Sequence, residues 1–253
     1  MTLLALDDAT YAYDARRTVL HGVSLEIGEG EAVGLVGESG SGKTTMLRLA
    51  LGLARPTTGA VRFEGAALDT RDRRRMRQFR QSVQAVFQDP YASLDPRQRV
   101  GAIVAEPLRS LRIAGDHPSM VANALRAVGL DPEIAGRYPH QFSGGQRQRI
   151  AIARAVVCGP RLLLADEALS ALDLTTRIRI LDLLAELGTR ISILFVSHDI
   201  GAVAALCRRI VILERGRVVE AGPTAAVLAN PSHPYTQRLL ASVPRLDPEG
   251  PSR

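Results

Sequence analysis

The apolar positions along the chain change their spacing several times, and each change marks an element. Short runs of β-forming residues at Thr10–Tyr13 and Val23–Ile27, broken by polar turns, predict two early strands. Ala32–Val36 is a five-residue apolar run that ends at Gly37, followed by a Gly/Ser-rich loop and a helical pattern over Thr44–Leu53. Val61–Phe63 and Val83–Phe87 read as further strands on either side of an arginine-rich stretch that reads as an exposed helix. From Asp89 to His140 the pattern is helical with Pro and Gly punctuation, including Val100–Arg112 and Ser119–Val128, and holds no strand candidate. Beyond it come a helix at Gly144–Val157, a strand at Arg161–Ala165, a helix at Thr175–Leu187, a strand at Ile191–Ser197 and a hairpin-like pair in Val211–Glu220. Two short helices, Thr224–Leu228 and Tyr235–Ser242, close the chain. Strands alternating with helices predict an α/β fold with a parallel-sheet core, helices on both faces, and a ligand site at the carboxyl ends of the strands.

Composition narrows the class. With 253 residues, 46% hydrophobic, 23% charged and a mean hydropathy of +0.03, the chain has the makeup of a folded globular protein. No apolar run approaches the ~18 residues of a membrane helix, and the N-terminus has no basic-then-apolar leader, so a cytoplasmic setting is expected. The net charge of +6 and a pI near 10 would suggest nucleic acid. The excess is concentrated, however, in Arg71, Arg73, Arg74, Arg75, Arg77 and Arg80, offset only by Asp69 and Asp72, and reads as a solvated helix face. Aromatic residues at 4% with no Trp supply little for stacking bases, so a nucleic-acid partner is not expected. Cys158 and Cys207 lack CxxC or His spacing and read as reduced core residues. One position stands out: Lys43 is the sole lysine among 32 basic residues.

That lysine sits in Gly37-Glu38-Ser39-Gly40-Ser41-Gly42-Lys43-Thr44, which fits G-x-x-x-x-G-K-[ST] in the required strand-to-helix setting. Glycines let successive backbone N–H groups curl round phosphate oxygens, and the helix N-terminus adds positive potential at the same place. Lys43 would reach the β- and γ-phosphates, and the Thr44 hydroxyl would hold Mg²⁺, with Thr45 grouped among the nucleotide contacts. Leu162–Ala165 then leads into Asp166-Glu167. A carboxylate at the end of a buried strand beside a phosphate loop is placed to hold Mg²⁺, and a second one can polarise an attacking water. A nucleotide polyphosphate with Mg²⁺ is therefore the expected cofactor.

Phe142-Ser143-Gly144-Gly145-Gln146-Arg147-Gln148-Arg149 resembles the signature loop of the ATP-binding cassette (ABC) ATPases, with Phe142 where Leu is usual. Read locally, Ser143 is also an ordinary helix N-cap. The resemblance extends further. Gln88 in Val86-Phe87-Gln88-Asp89-Pro90 is similar to the family's Q-loop, Ser170-Ala171-Leu172-Asp173 to its D-loop, and His198 to its switch histidine. Tyr13 matches the aromatic that stacks on adenine, with Tyr11 as the alternative. The six elements follow family order and the likeness spans about residues 3–244. It implies a P-loop NTPase parallel-sheet core with an N-terminal antiparallel β subdomain and a helical insertion, that is, the ABC ATPase fold. The implied organisation is one nucleotide-binding domain over 1–244, a helical subdomain at about 89–157 within it, and a short flexible tail at 245–253. It also implies a head-to-tail pair of cassettes, in which Lys43, Thr44, Asp166 and Glu167 serve one nucleotide while Ser143, Gly144, Gly145 and Gln146 complete the partner's site. In the family's scheme Glu167 is the water-activating base, His198 holds the γ-phosphate, and Gln88 links Mg²⁺ to the insertion that meets a transporter.

Residues 86–97, 138–149 and 230–240 resemble the bacterial dipeptide/oligopeptide/nickel importer group, the segment Asn230-Pro231-Ser232-His233-Pro234-Tyr235-Thr236-Gln237-Arg238-Leu239-Leu240 most specifically. The resemblance implies a membrane permease, a periplasmic or extracellular solute-binding protein, a second ATPase subunit, and a place on the cytoplasmic face of the membrane. Peptide-type members often carry a longer tail with a cysteine cluster, and Ala168 stands where most cassettes have proline; both features lean towards nickel or a small metal chelate. Three rival readings remain at this level: a soluble cassette acting on nucleic acid, an accessory cassette of phosphonate breakdown, and a catalytically silent scaffold.

Overall fold

A computed structural model describes residues 1–14, 17–89, 93–170 and 172–241. The expectations for Pro90, Tyr91, Ala92, Ala171 and the tail from 242 onward lie outside these residues. The described residues build two sheets. The first contains β1 (Thr2–Ala12), β2 (Thr18–Gly28), β4 (Thr58–Phe63) and β5 (Ala66–Ala67), all antiparallel, in the order β2-β1-β4-β5. The second contains β3 (Ala32–Val36), β6 (Val83–Val86), β7 (Leu162–Asp166), β8 (Ser192–Ser197) and β9 (Arg209–Glu214), mutually parallel, with β10 (Arg217–Pro223) antiparallel at one edge. Its order is β10-β9-β3-β8-β7-β6. This is the parallel core with an antiparallel β sheet that the sequence implied.

The central strands are apolar without alternation because both faces are covered. Leu162, Leu164, Leu194, Val196, Val33 and Leu35 enter a core shared with the first sheet and with Met46 and Leu49 of α1 (Lys43–Ala50). Their neighbours Leu163, Ala165, Ile193 and Phe195 enter the opposite core, against α6 (Gly144–Val156) and α7 (Leu174–Gly188). That second core continues into the helical insertion, α3 (Val100–Val104), α4 (Glu106–Ser110) and α5 (His117–Ala127). Arg161, just before β7, pairs with Glu29 and Glu64 at the edge of the first sheet and ties the two sheets together.

Several elements differ from the sequence expectation, each for a local reason. β1 begins at Thr2, well before Thr10, because Leu3–Leu6 are buried on both faces and a register shift between Leu6 and Ala9 breaks the two-residue period. The helix expected over Val100–Arg112 is two helices, divided at Ala105. Pro107 has no N–H to offer the preceding turn, and its ring crowds the Ile103 carbonyl. α8 (Ile200–Leu206) follows β8 and was not expected, since seven small apolar residues show no clear period; its signal is Asp199, whose side chain accepts the Ala202 N–H at 3.1 Å as an N-cap. The arginine-rich helix is α2 (Arg73–Ser82), capped by Asp72. Met76 and Phe79 are buried while Arg73, Arg74, Arg77 and Arg80 face solvent, so the charge run is the outer side of an amphipathic helix. Cys158 and Cys207 are buried free thiols, pushed up by desolvation to about 11 and about 12, and so stay protonated and unreactive at neutral pH.

Gly34 sets how closely α8 lies against β3, because a Cβ there would stand 2.3 Å from the Val203 Cγ1 atom. Gly34→Ala is expected to destabilise the fold by about 1–3 kcal/mol through overpacking, read as a lowered denaturation midpoint at constant m-value. An unchanged midpoint would mean that α8 is free to move away from the sheet.

Candidate functional site

Gly37–Gly42 join β3 to α1, and the geometry of this loop depends on small residues. Gly42 caps α1 with φ 111°, and Gly40 has φ 81°, backbone conformations that side-chain-bearing residues rarely adopt. Gly37 is needed for a different reason. A Cβ on it would lie 2.3 Å from the Leu213 carbonyl oxygen of β9. The turn between β9 and β10, Arg215 (φ 47°) and Gly216 (φ 74°), presses on the loop from the same side: the Gly216 N–H donates to the Ser41 carbonyl at 2.8 Å.

Lys43 is buried at the centre of the loop. Its Nζ donates to the Gly37 carbonyl at 2.6 Å and the Glu38 carbonyl at 3.0 Å, and lies 4.0 Å from Glu167 Oε1. Desolvation pulls its pKa below the ordinary lysine value, opposed by the charges of Glu167, Asp166 and Glu38. Asp166 ends β7, and burial raises its carboxyl above the usual range; the Glu167 charge adds to the rise and Lys43 works against it. Glu167 adopts φ 45°, uncommon for a residue with a side chain, and its N–H donates to the Val196 carbonyl at 2.9 Å, so β8 fixes its backbone. His198, just beyond β8, brings Nδ1 to 3.5 Å from Glu167 Oε1.

These groups share a cleft of about 1000 Å³. Tyr13, Glu38, Ser39, Gly40, Gly42, Lys43, Thr44, Thr45, Gln88, Asp166, Glu167 and His198 all line it, which brings together most of the residues expected from sequence. Gly37 and Ser41 belong to the same loop but turn towards the β9–β10 hairpin. Tyr13 is half exposed at the mouth; its hydroxyl is 3.5 Å from Thr45 Oγ1 and accepts from Arg48 at 3.2 Å, while Tyr11 meets its ring edge-on at 5.1 Å. Tyr13, and not Tyr11, lines the cleft.

Five residues lie apart. Ser143 caps α6 and forms a capping box with Gln146, each side chain accepting the other's backbone N–H, at 3.3 and 3.0 Å. Ser143 and Gln146 are exposed and, with Gly144 and Gly145, lie outside the cleft. Gly145 allows α7 to approach, since a Cβ on it would be 2.3 Å from Thr176 Cγ2. Asp173 caps α7 by accepting the Thr176 N–H at 3.0 Å, a bond that lowers its carboxyl pKa.

Sequence reasoning missed Arg17, His21 and Arg215, which also line the cleft, and Tyr235, whose hydroxyl accepts the Glu38 N–H at 2.9 Å. Arg215 carried a legible signal, a Glu-Arg-Gly-Arg turn between two apolar runs, but nothing in that pattern says where the hairpin points.

A family model described as ABC transporter matches residues 20–170, which takes in the phosphate loop, Gln88, the Ser143 segment and Asp166-Glu167. The chain belongs to the ABC transporter family. A second model, the oligopeptide/dipeptide transporter C-terminal region, matches residues 219–252 of this cassette. The cassette is 48% identical over 230 residues to the glutathione import ATP-binding protein GsiA of Escherichia coli (strain K12), a match that covers 89% of this chain and 37% of GsiA. The GsiA of Salmonella typhi is likewise 48% identical over the same shares. The cassette thus spans well under half the length of these curated relatives. Among solved structures, cbiO1 of Clostridium perfringens, part of the ABC transporter complex cbiONQ, superposes with a TM-score of 0.81 at 28% identity over 90% of this chain and 91% of that one. The ATP-binding cassette MJ0796, in a dimeric post-hydrolysis state with ADP and Pi, gives 0.77 at 32% identity over 88% and 99%. This chain is accordingly an ATP-binding ATPase cassette.

Gly37→Ala tests the close approach of the loop to β9. It is expected to lower unfolding free energy by about 1–3 kcal/mol and to weaken nucleotide binding, because the loop must back away from Leu213. Chemical denaturation and titration with a fluorescent ATP analogue check the two effects.

Proposed function

We propose that this cassette is the ATP-hydrolysing subunit of a bacterial importer for small peptides, seated on the cytoplasmic face of the membrane. The observation that carries the reading is the convergence of Lys43, Thr44, Gln88, Asp166, Glu167 and His198 on one cleft at the carboxyl ends of adjacent parallel strands. The phosphates of ATP fit the glycine loop, where the N-terminus of α1 and Lys43 supply positive charge. Tyr13 offers an exposed ring at the mouth for the adenine. Thr44, Asp166 and Gln88 bring a hydroxyl, a carboxylate and an amide to the same wall, a donor set suited to Mg²⁺ once phosphate and water oxygens complete its shell. Among the described residues no cluster of three or more His, Cys, Asp or Glu offers an all-protein metal cage, in keeping with a cation that arrives with its nucleotide. The cation would neutralise charge developing on the transferred phosphoryl group.

The residues then divide the work. Glu167 takes the proton of the attacking water, and the fixed backbone at Val196 holds its carboxylate in the cleft. His198, 3.5 Å from Glu167, holds the γ-phosphate and steadies the base. Lys43 exchanges the Gly37 and Glu38 carbonyls for phosphate oxygens. Ser143, Gly144, Gly145 and Gln146 form an exposed helix start outside the chain's own cleft, which supports their use in the site of a second cassette, with Asp173 nearby at the start of α7. Residues 1–244 act as one nucleotide-binding unit with the helical insertion at about 89–157 turned to a permease, and a solute-binding protein delivers the cargo.

The peptide assignment rests on the likeness to glutathione importer ATPases and to the oligopeptide-transporter C-terminal region. Nickel is the rival cargo, favoured by Ala168, a buried residue beside Glu167, and by a tail that carries no cysteine cluster, although that tail matches the oligopeptide-transporter C-terminal region. Glu167→Gln is expected to keep ATP binding and slow hydrolysis by about 10²–10⁴-fold, and full turnover in that variant removes Glu167 from the base role. In vesicles that contain the permease, the partner ATPase and the solute-binding protein, glutathione or dipeptides are expected to stimulate ATPase activity. Stimulation by nickel alone would overturn the peptide assignment and leave the ATPase intact.

A further inference from the structure

The oligopeptide-transporter segment at the C-terminal end of the chain does more in this structure than cover the core. After α9 (Thr224–Ala229), α10 (Pro234–Ala241) places Tyr235 at 3% exposure with its hydroxyl 2.9 Å from the Glu38 nitrogen. The two residues are 197 positions apart in sequence. Both backbone groups of Glu38 are engaged: its N–H is taken by Tyr235 and its carbonyl receives Lys43 Nζ at 3.0 Å. We propose that Tyr235 is a positioning residue of the phosphate loop, which fixes the Glu38 peptide so that the loop is already shaped for phosphate before nucleotide enters. The inference rests on the ATP reading of the cleft.

The anchoring of α10 supports this role. Glu220 of β10 accepts the Ser232 N–H and hydroxyl, each at 2.8 Å, and the His233 N–H at 3.1 Å, which clamps the chain directly before the helix. His233 Nδ1 then accepts the Tyr235 N–H at 3.2 Å. Further along α10, Arg238 pairs with Glu214 at 3.5 Å, at the end of β9. The tyrosine is thus held by the same hairpin whose turn donates to Ser41, so the loop is fixed at both Glu38 and Ser41 by residues from the last third of the chain. Desolvation raises the Tyr235 phenol above its ordinary value, against the lowering effect of its bond to Glu38, so it remains a neutral hydroxyl at physiological pH.

A brace of this kind has a signature that packing alone lacks. Tyr235→Phe keeps the ring and its burial and removes only the hydroxyl, whereas Tyr235→Leu removes the ring as well. The readouts are the Kd for MgATP by calorimetry, thermal stability without nucleotide, and hydrogen exchange at the Glu38 amide, all on the full chain. The expected result for Tyr235→Phe is binding weakened by about 2- to 10-fold, the scale of one neutral hydrogen bond, with faster Glu38 exchange and an apo melting temperature lowered much less than in Tyr235→Leu. MgATP binding unchanged in Tyr235→Phe would overturn the proposal. So would an affinity loss that follows the loss of thermal stability across the Phe and Leu variants, since that assigns Tyr235 to packing. Lys43→Ala separates the two levels: parent protein that binds no more MgATP than Lys43→Ala refutes the ATP reading itself, whereas a tight parent and an equally tight Tyr235→Phe refute only the brace.

Discussion

The structure turns on a buried ammonium group whose hydrogen bonds go to the backbone and not to a carboxylate. Lys43 Nζ is satisfied by two carbonyls of its own loop, while the nearest carboxylate oxygen, on Glu167, stands 4.0 Å away. A buried cation that shares no hydrogen bond with a carboxylate is costly, and desolvation lowers its pKa even with Glu167 4.0 Å away. A polyanion at the mouth of the loop would relieve it. The fold can hold the group in this state because the loop is fixed on several sides: β3 before it, α1 after it, and the β9–β10 turn and Tyr235 alongside.

The rest of the architecture delivers reactive groups to that charge. Because β3, β8 and β7 are adjacent and parallel, the loops that leave their carboxyl ends open on the same cleft. Lys43, His198 and Glu167 come from three crossings of the sheet, and Gln88 from a fourth strand, β6, at its side. The sandwich of the sheet between two cores keeps those strand ends in register. Close contacts that leave no room for a methyl group, at Gly34, Gly37 and Gly145, recur wherever a helix or hairpin must lie tightly against this framework.

The parts of the site legible in sequence are those whose chemistry lies in consecutive residues. The phosphate loop announces itself because its backbone demands glycines at fixed spacing, and Asp166-Glu167 because two acids follow an apolar strand. His198, Gln88 and Tyr13 gain meaning from their order relative to that loop, and the cleft does unite them. The signature serine and Asp173 are visible both as helix caps and as members of the family pattern. What stayed illegible is tertiary. Nothing near Tyr235 says that its hydroxyl will meet Glu38, and nothing in Glu214–Arg217 says that the turn will rest on Ser41. The full length of β1 was hidden by burial on both faces, and the break at Ala105 by an apolar period that runs on past Pro107.

The solitary lysine has a practical consequence for spectroscopy. With 31 arginines carrying the remaining basic charge, the only side-chain ammonium in this chain lies inside the phosphate loop. Isotope enrichment of lysine alone would therefore light up a single side-chain amine, and its resonance would report on the loop without assignment of any other residue. The same arithmetic leaves amine-directed reagents one side-chain target, and that target is shielded by the carbonyls of Gly37 and Glu38. Composition has placed a native reporter at the buried ammonium around which the phosphate loop is folded.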